Sequence, residues 1–423
     1  MTEESIIIQQ LFRQEFSKMV AVISRLFGLE HIETAEDIVS DTFLQATDSW
    51  KKDKIPVNPV AWLYSVAKQK TLYYFRRNKI YTDKIIPHLT TTREIKAGDI
   101  DIDFLGFNIA DSQLQMMFAI CNPVIASESQ IGLALRILCG FGIDEIAEAF
   151  LSNKETINKR LFRAKEKLRA AHIKFELPAE HEISDRLDNV LRIIYLLFNE
   201  GYHSATKNQV LQKDFCVEAI RLGIMLTKYD KTNLPQTNAL IALMCFHTSR
   251  FEAREKAGNA VILYDQQDET LWNKELIEQG NYFLTVSARG DELSTYHLEA
   301  GIAFWHCQKK DSMEKWQNIL YHYDLLLGLH YSPVIALNRL YALYKVSGKE
   351  NALPELLKLD LNNNHYYYTL LAELYAGIDN AKAKESFERA MSLAKTQKDS
   401  QTIEEKMKTN LLGNGQNTCC TNS

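Results

Sequence analysis

The stretch RILCGFGIDEIAEAFLSNKETINKRLFRAKEKLRAA (136–171) decides how the chain is read. Ile143 to Phe150 make a short helical pattern with Ile146, Ala147 and Phe150 on one side, and Leu151-Ser152-Asn153 interrupt it. Thr156, Ile157, Leu161, Ala164 and Leu168 then line a second amphipathic helix. Two short helices joined by a tight turn, the second cationic outside, predict a helix-turn-helix. Ala147 is small where the helices must cross. At the start of the second helix, Lys154, Glu155, Asn158 and Lys159, with Thr156 beside them, can reach base edges, while Arg160, Arg163 and Lys165 suit phosphates. The competing reading is a solvated basic helix in a bundle.

Charge supports contact with phosphate despite a net −5 over 423 residues. Residues 1–177 are neutral, and 178–423 carry the whole excess, 26 Lys/Arg against 31 Asp/Glu. Within the neutral part, 62–79 holds Lys68, Lys70, Arg76, Arg77 and Lys79 with no acid. The stretch 154–174 holds eight basic residues against Glu155 and Glu166. Two basic stripes on an acidic chain are the electrostatic footprint of a nucleic-acid binder.

Working outward, nearly every segment has helical periodicity, so the expected fold is all-α. An amphipathic helix over 5–28 carries Ile8, Leu11, Phe12, Phe16, Met19, Val20, Ile23 and Phe27. A second covers 34–50 with Thr34 as its N-cap, and a third starts at Pro59 and runs to about 79. Residues 81–110, with Pro87, a Thr run and an acidic patch, read as a linker. The expected domains are 1–80, the helix-turn-helix unit 111–177, a helical extension 178–395 beginning at Pro178, and a polar, frayed tail 396–423. In the extension, 342–359 and 373–393 each place a Gly turn (Gly348, Gly377) before an amphipathic helix, and 242–261 is similar without the Gly. These are either tetratricopeptide-type hairpins or a generic helical bundle.

Composition excludes other classes. Seventeen Gly and eight Pro with 46% hydrophobic residues mean a globular chain. There is no long uncharged apolar run, no basic and apolar leader, and no Cys-x-x-Cys, so a cytoplasmic protein without metal, disulfide or membrane span is expected. Cys121, Cys139, Cys216, Cys245 and Cys307 fall in apolar helical stretches and read as buried thiols. No Gly-x-Gly-x-x-Gly, P-loop, His-Glu-x-x-His or Gly-x-Ser-x-Gly occurs, so no catalytic residue or cofactor is expected; His322, His330 and His365 read as ordinary histidines.

Two further stretches gain meaning from their order. In NPVAWLYSVAKQKTLYYFRRNK (58–79), Trp62, Tyr64, Tyr73 and Tyr74 interleave with Lys68, Lys70, Arg76 and Arg77. Rings for stacking and cations for the backbone suit single-stranded DNA, although aromatics at this spacing also make cores, as Trp62 and Phe75 would. In AEDIVSDTFLQATDSW (35–50), Glu36, Asp37, Asp41 and Asp48 edge the apolar Ile38, Val39, Phe43 and Leu44. Alone, it is an acidic amphipathic helix.

An acidic helix, then Pro-x-x-Trp-Leu leading to Arg-Arg, a linker, and a helix-turn-helix with Arg-x-x-Arg-Ala-Lys together resemble the sigma-70 family, most nearly the extracytoplasmic-function (ECF) sigma factors. Residues 10–79 resemble region 2 and 111–175 region 4. DSQLQMMFAICNPVIASESQIGLALRILCGF, HIKFELP, LRIIYLLFNEGY (191–202) and SPVIALNRLYALY (332–344) resemble an ECF subgroup with a tetratricopeptide-like extension. The resemblance implies a transcription initiation factor for bacterial core RNA polymerase and promoter DNA. Trp62, Tyr64, Lys68, Lys70, Tyr73, Tyr74, Arg76 and Arg77 would meet the −10 element. Lys154 to Lys165 would meet the −35 element, and Glu36, Asp37, Asp41, Phe43 and Leu44 would dock on polymerase. The extension would regulate in cis in place of a separate anti-sigma factor, with an unidentified protein partner possible; FNEGY (198–202) is either an interaction surface or a helix end capped at Gly201. Ile120-Cys121-Asn122 replaces the subgroup's paired cysteines and His, which argues against a metal there. The alternative is a helix-turn-helix repressor or activator on a tetratricopeptide-type scaffold, independent of polymerase.

Overall fold

The computed structural model describes residues 3–53, 55–78, 106–150, 152–179, 181–202, 209–254, 262, 264, 267–290, 292–359, 361–394 and 397–412. Among the described residues the regular structure is entirely helical. The chain divides into two compact units, Met1–Asn233 and Leu234–Ser423.

The first unit opens with α1 (Glu3–Phe27), a 3-10 turn (Leu29–His31), α2 (Ile32–Asp53) and α3 (Pro59–Asn78). Gly28 ends α1 at φ 87°, a conformation that costs glycine nothing. The 3-10 turn then runs straight into α2, so Thr34, the expected N-cap, lies inside the helix. Pro59 does begin α3, and the Asn58 side chain accepts the Ala61 N–H at 3.0 Å. The apolar stripe of α1 is the core: Phe16, Met19, Val20 and Ile23 are fully buried. Phe12 stacks on Phe16 at 4.5 Å between centroids, and Phe27 lies 4.4 Å from Phe75. Burial of each such side chain contributes roughly 1.5–3 kcal/mol.

Next come α4 (Gly106–Ile120), α5 (Ser127–Leu133) with a π turn (Ala134–Leu138), α6 (Ile143–Ala149) and α7 (Lys154–Ala170). α1 packs on α2, α3, α4 and the π turn. Of the expected linker, 106–110 already belongs to α4, and 81–105 lies outside the described residues.

The extension expected to start at Pro178 begins inside the first unit. α8 (Ile183–Tyr202) and α9 (Gln209–Leu226) form a hairpin, and α8 buries Leu187, Val190, Leu191 and Ile194. Arg186 donates to the Phe118 carbonyl (2.6 Å) and Asn189 to the Cys121 carbonyl (2.5 Å) and Gln130 Oε1 (2.9 Å). Arg221 donates to the Leu138 carbonyl (2.7 Å). These carbonyls close the ends of α4 and of the π turn, where helices leave acceptors without intrahelical partners. Pro178 therefore turns the chain without ending the unit, and the division falls after Asn233. Gly201, read as a cap, is buried within α8, because the helix continues to Tyr202, which stacks on buried Phe198 at 5.5 Å.

The second unit contains α10 (Pro235–Ser249), α11 (Lys274–Ser287), α12 (Thr295–His306), α13 (Met313–Leu329), α14 (Pro333–Ser347), α15 (Lys349–Leu356), α16 (His365–Tyr375), α17 (Asn380–Leu393) and α18 (Gln397–Leu412). Each helix packs on the next. Gly348 and Gly377 supply left-handed turns at φ 79° and 82°. Asn273, Ser312, Asn364 and Asp379 cap the following helices with their side-chain oxygens. The tail expected from 396 is helical over Gln397–Leu412, because Ile403 buries against Ala372, Phe387 and Ala390. Cys419 and Cys420 lie outside the described residues. The five internal cysteines are buried free thiols, and burial pushes Cys121 and Cys245 up to about 12.

Candidate nucleic-acid interface

Two consecutive helices, α6 and α7, lie where the sequence predicts a helix-turn-helix. Glu145 accepts the Gly142 N–H at 2.8 Å and starts α6, and Asn153 accepts the Thr156 N–H at 2.8 Å and starts α7. Ile157, Leu161, Ala164 and Leu168 bury one face of α7. A Cβ on Gly132 would sit 3.0 Å from Leu161, so α5 approaches α7 closely.

That leaves Lys154, Glu155, Thr156, Asn158, Lys159 and Arg163 exposed. Lys154 pairs with Asp144 at 2.6 Å and Lys159 with Glu155 at 2.5 Å, both at the surface, where such pairs contribute little. Arg160 is half-buried, 5.4 Å over the Phe150 ring and 3.3 Å from Glu128. Lys165 differs from the expectation of a free phosphate contact. Its ammonium lies against Glu36, and its side chain is only 12% exposed.

On α3, the side chains divide in the same way. Tyr73 is the outward ring, 67% exposed, and Arg77 is exposed. Lys68 and Lys70 are half-buried. Trp62 packs edge-on to Trp50 at 5.4 Å, and Tyr74 edge-on to Phe27 at 5.4 Å. Tyr64 donates its hydroxyl to Glu15 at 2.5 Å, and desolvation followed by that carboxylate raises its phenol far above the usual range. Trp62, Tyr64 and Tyr74 thus hold the surface in place as much as they form it. The Arg76 side chain lies outside the described residues.

The acidic helix also splits. Asp37, Asp41 and Leu44 are exposed, Leu44 by 63%. Phe43 faces the core, edge-on to Phe12 at 5.0 Å, so it anchors α2 and does not extend its outer face. Glu36 is buried, one oxygen 3.1 Å from Arg136 Nε and the other against Lys165. Desolvation, then the charges of Glu36 and Asp41, lifts the Asp37 carboxyl above its ordinary value.

Further residues on this seam carry no sequence signal, because their partners are far apart in the chain. Arg169 reaches Glu33 (3.1 Å) and the Glu30 carbonyl (3.2 Å), and Arg25 reaches Asp111 (2.5 Å). Arg13 bridges Glu145 and Asp214, both at 2.6 Å. Among the described residues no group of His, Cys, Asp and Glu is placed to hold a metal, and no helix is long and apolar enough to cross a membrane.

Residues 11–80 match sigma-70 region 2. This match supports a sigma-70 family factor, and that family acts in transcription initiation with core RNA polymerase and promoter DNA. Residues 186–288 match a family of unknown function, DUF6596. An uncharacterized protein of Rhizobium meliloti (strain 1021) is 32% identical over 368 residues, covering 86% of this chain and 87% of that protein. No solved structure matches.

Proposed function

We propose that the chain is an ECF-type sigma factor in which α3 meets the −10 element and α7 reads the −35 element as duplex. The observation that carries this reading is α7. Its inner face is fixed by Ile157, Leu161, Ala164 and Leu168, and its N-terminal outer face presents Lys154, Thr156, Asn158, Lys159 and Arg163 together. On α3, Tyr73 with Arg77, Lys68 and Lys70 supplies the ring and cations that an extruded base needs. Asp37, Asp41 and Leu44 on α2 dock on a basic part of polymerase. The helical array of the second unit is tetratricopeptide-like and regulates the first unit in cis.

Run-off transcription from a genomic promoter library, with core polymerase and with or without the protein, tests this. The expected result is template-specific product that requires both. Lys159→Glu with Arg163→Glu removes one base-edge contact and one phosphate contact, weakening −35 binding and flattening its salt slope by about one. Equal binding of duplex with and without polymerase, and no product, would favour the repressor or activator reading.

A further inference from the structure

The second unit holds an open cavity of about 450 Å³ between α11, α12, α13 and the turn that joins α11 to α12. That volume lies in the range of small-molecule sites. Two glycines set its walls. A Cβ on Gly301 would sit 2.4 Å from His322 Nε2, and one on Gly290 would sit 2.6 Å from Pro235 Cγ. Glycine inside a helix is destabilising relative to alanine, so Gly301 weakens α12 in order to admit the His322 ring. Leu284, Leu293, Phe304 and Trp305 supply the apolar lining. The polar lining mostly accepts. His322 Nδ1 lies 2.6 Å from the Asn318 carbonyl, which can only accept, so Nδ1 carries the proton of the neutral ring. Nε2 is then an acceptor, and it meets no donor among the described residues. The other imidazole, His297, has both nitrogens occupied: Nδ1 accepts the Ser294 N–H at 3.1 Å, and Nε2 donates to the Ser287 carbonyl at 3.2 Å. The Ser287 hydroxyl donates to the Leu284 carbonyl at 2.7 Å. Glu292 is exposed at the rim without an ion pair among the described residues, and no Lys or Arg lines the cavity.

We propose that this cavity binds a small organic amine with an aromatic body. Its ammonium donates to His322 Nε2 and faces the Glu292 carboxylate, and its body lies against Leu284, Phe304 and Trp305. An ammonium has donors and no acceptor, which complements an imidazole lone pair and a carboxylate. The faces of Phe304 and Trp305 favour a cation as well. An acid of the same shape would bring a negative charge to that lone pair and to Glu292, with no lysine or arginine to answer it. The bound amine would touch three consecutive helices, α11, α12 and α13, of an array in which each helix rests on the next. Occupancy therefore stiffens that stretch of the second unit. Every residue involved belongs to the second unit, so the inference stands apart from the sigma reading of the first.

The test is titration calorimetry of the full chain with tryptamine and with indole-3-propionate, which keeps the ring and the spacer but ends in a carboxylate. The expected result is saturable binding of tryptamine to one site and binding of the propionate at least about tenfold weaker. His322→Leu removes the acceptor of a charge-assisted hydrogen bond and should weaken tryptamine by about tenfold or more. Should that variant fail to fold, Glu292→Gln at an exposed position takes its place, with a loss of about threefold. Three results overturn the proposal: no saturable binding of tryptamine up to about 1 mM, equal affinity for the amine and the acid, or unchanged affinity in folded His322→Leu or, in its place, Glu292→Gln.

Discussion

The two units solve the same problem, burying amphipathic helices, in opposite ways. In the second unit each helix rests on its sequence neighbours, with α10 also on α12, and small apolar clusters form among the described residues, such as Leu337, Leu340, Leu356 and Leu374, or Leu298, Ile302, Trp316 and Ile319. In the first unit α1 touches α2, α3, α4 and the π turn, and ion pairs span long sequence distances, Arg13 to Asp214 among them. A nearest-neighbour array gives up its stability in pieces, whereas an interlocked unit gives it up at once. The largest expected effect follows from this contrast. Truncation after Leu177 removes α8 and α9, strips the acceptors Phe118, Cys121 and Leu138 of their donors, and exposes the partners of Leu187 and Val190. Truncation after Asn233 removes none of these. Thermal unfolding should show a cooperative transition for 1–233 and none for 1–177; equal transitions would break the comparison.

A smaller effect sharpens it. Phe16→Ala and Phe387→Ala each remove a fully buried ring, and each costs about 3–5 kcal/mol. Their reach should differ. Phe16 touches Phe12 and lies 5.2 Å beneath the Arg136 guanidinium, so hydrogen exchange should accelerate from α1 through α4 and the π turn. Phe387 packs with Ala372, Ala390 and Ile403, so exchange should accelerate in α16 to α18 and stay unchanged in α10 to α13. Faster exchange in α10 after Phe387→Ala would mean that the second unit is as cooperative as the first.

What the sequence disclosed follows the range of the interactions. The two helices α6 and α7 were legible because their determinants are local: the apolar spacing of Ile157, Leu161, Ala164 and Leu168, and the break at Leu151-Ser152-Asn153. The turns at Gly348 and Gly377 were legible for the same reason. The placement of Lys165 was not, because its partner Glu36 is 129 residues away, and a lysine on a basic helix looks alike whether it faces water or a carboxylate. Phe43 was misplaced because an apolar residue on an amphipathic helix does not announce which neighbour covers it. The attachment of α8 and α9 to the first unit was not legible, because Pro178 is a local signal, while Arg186, Asn189 and Arg221 act on carbonyls far behind them in the chain.

The smallest effects test whether the turns of the second unit are set by backbone conformation alone. A Cβ on Gly348 would meet nothing within 4 Å, yet its φ is 79°. Gly348→Ala should therefore cost about 1–2 kcal/mol through the left-handed backbone and nothing through packing. Gly328, within α13, also has open space around a new Cβ but no positive φ. There, alanine narrows the unfolded ensemble and favours helix, so Gly328→Ala should gain about 0.5–1 kcal/mol. Two glycines with the same empty surroundings should shift the midpoint of thermal unfolding in opposite directions. A shift in the same direction would mean that the Gly348 turn is held by its neighbours and not by its dihedral angle, and the second unit would then resemble the interlocked first unit more than a chain of independent hairpins.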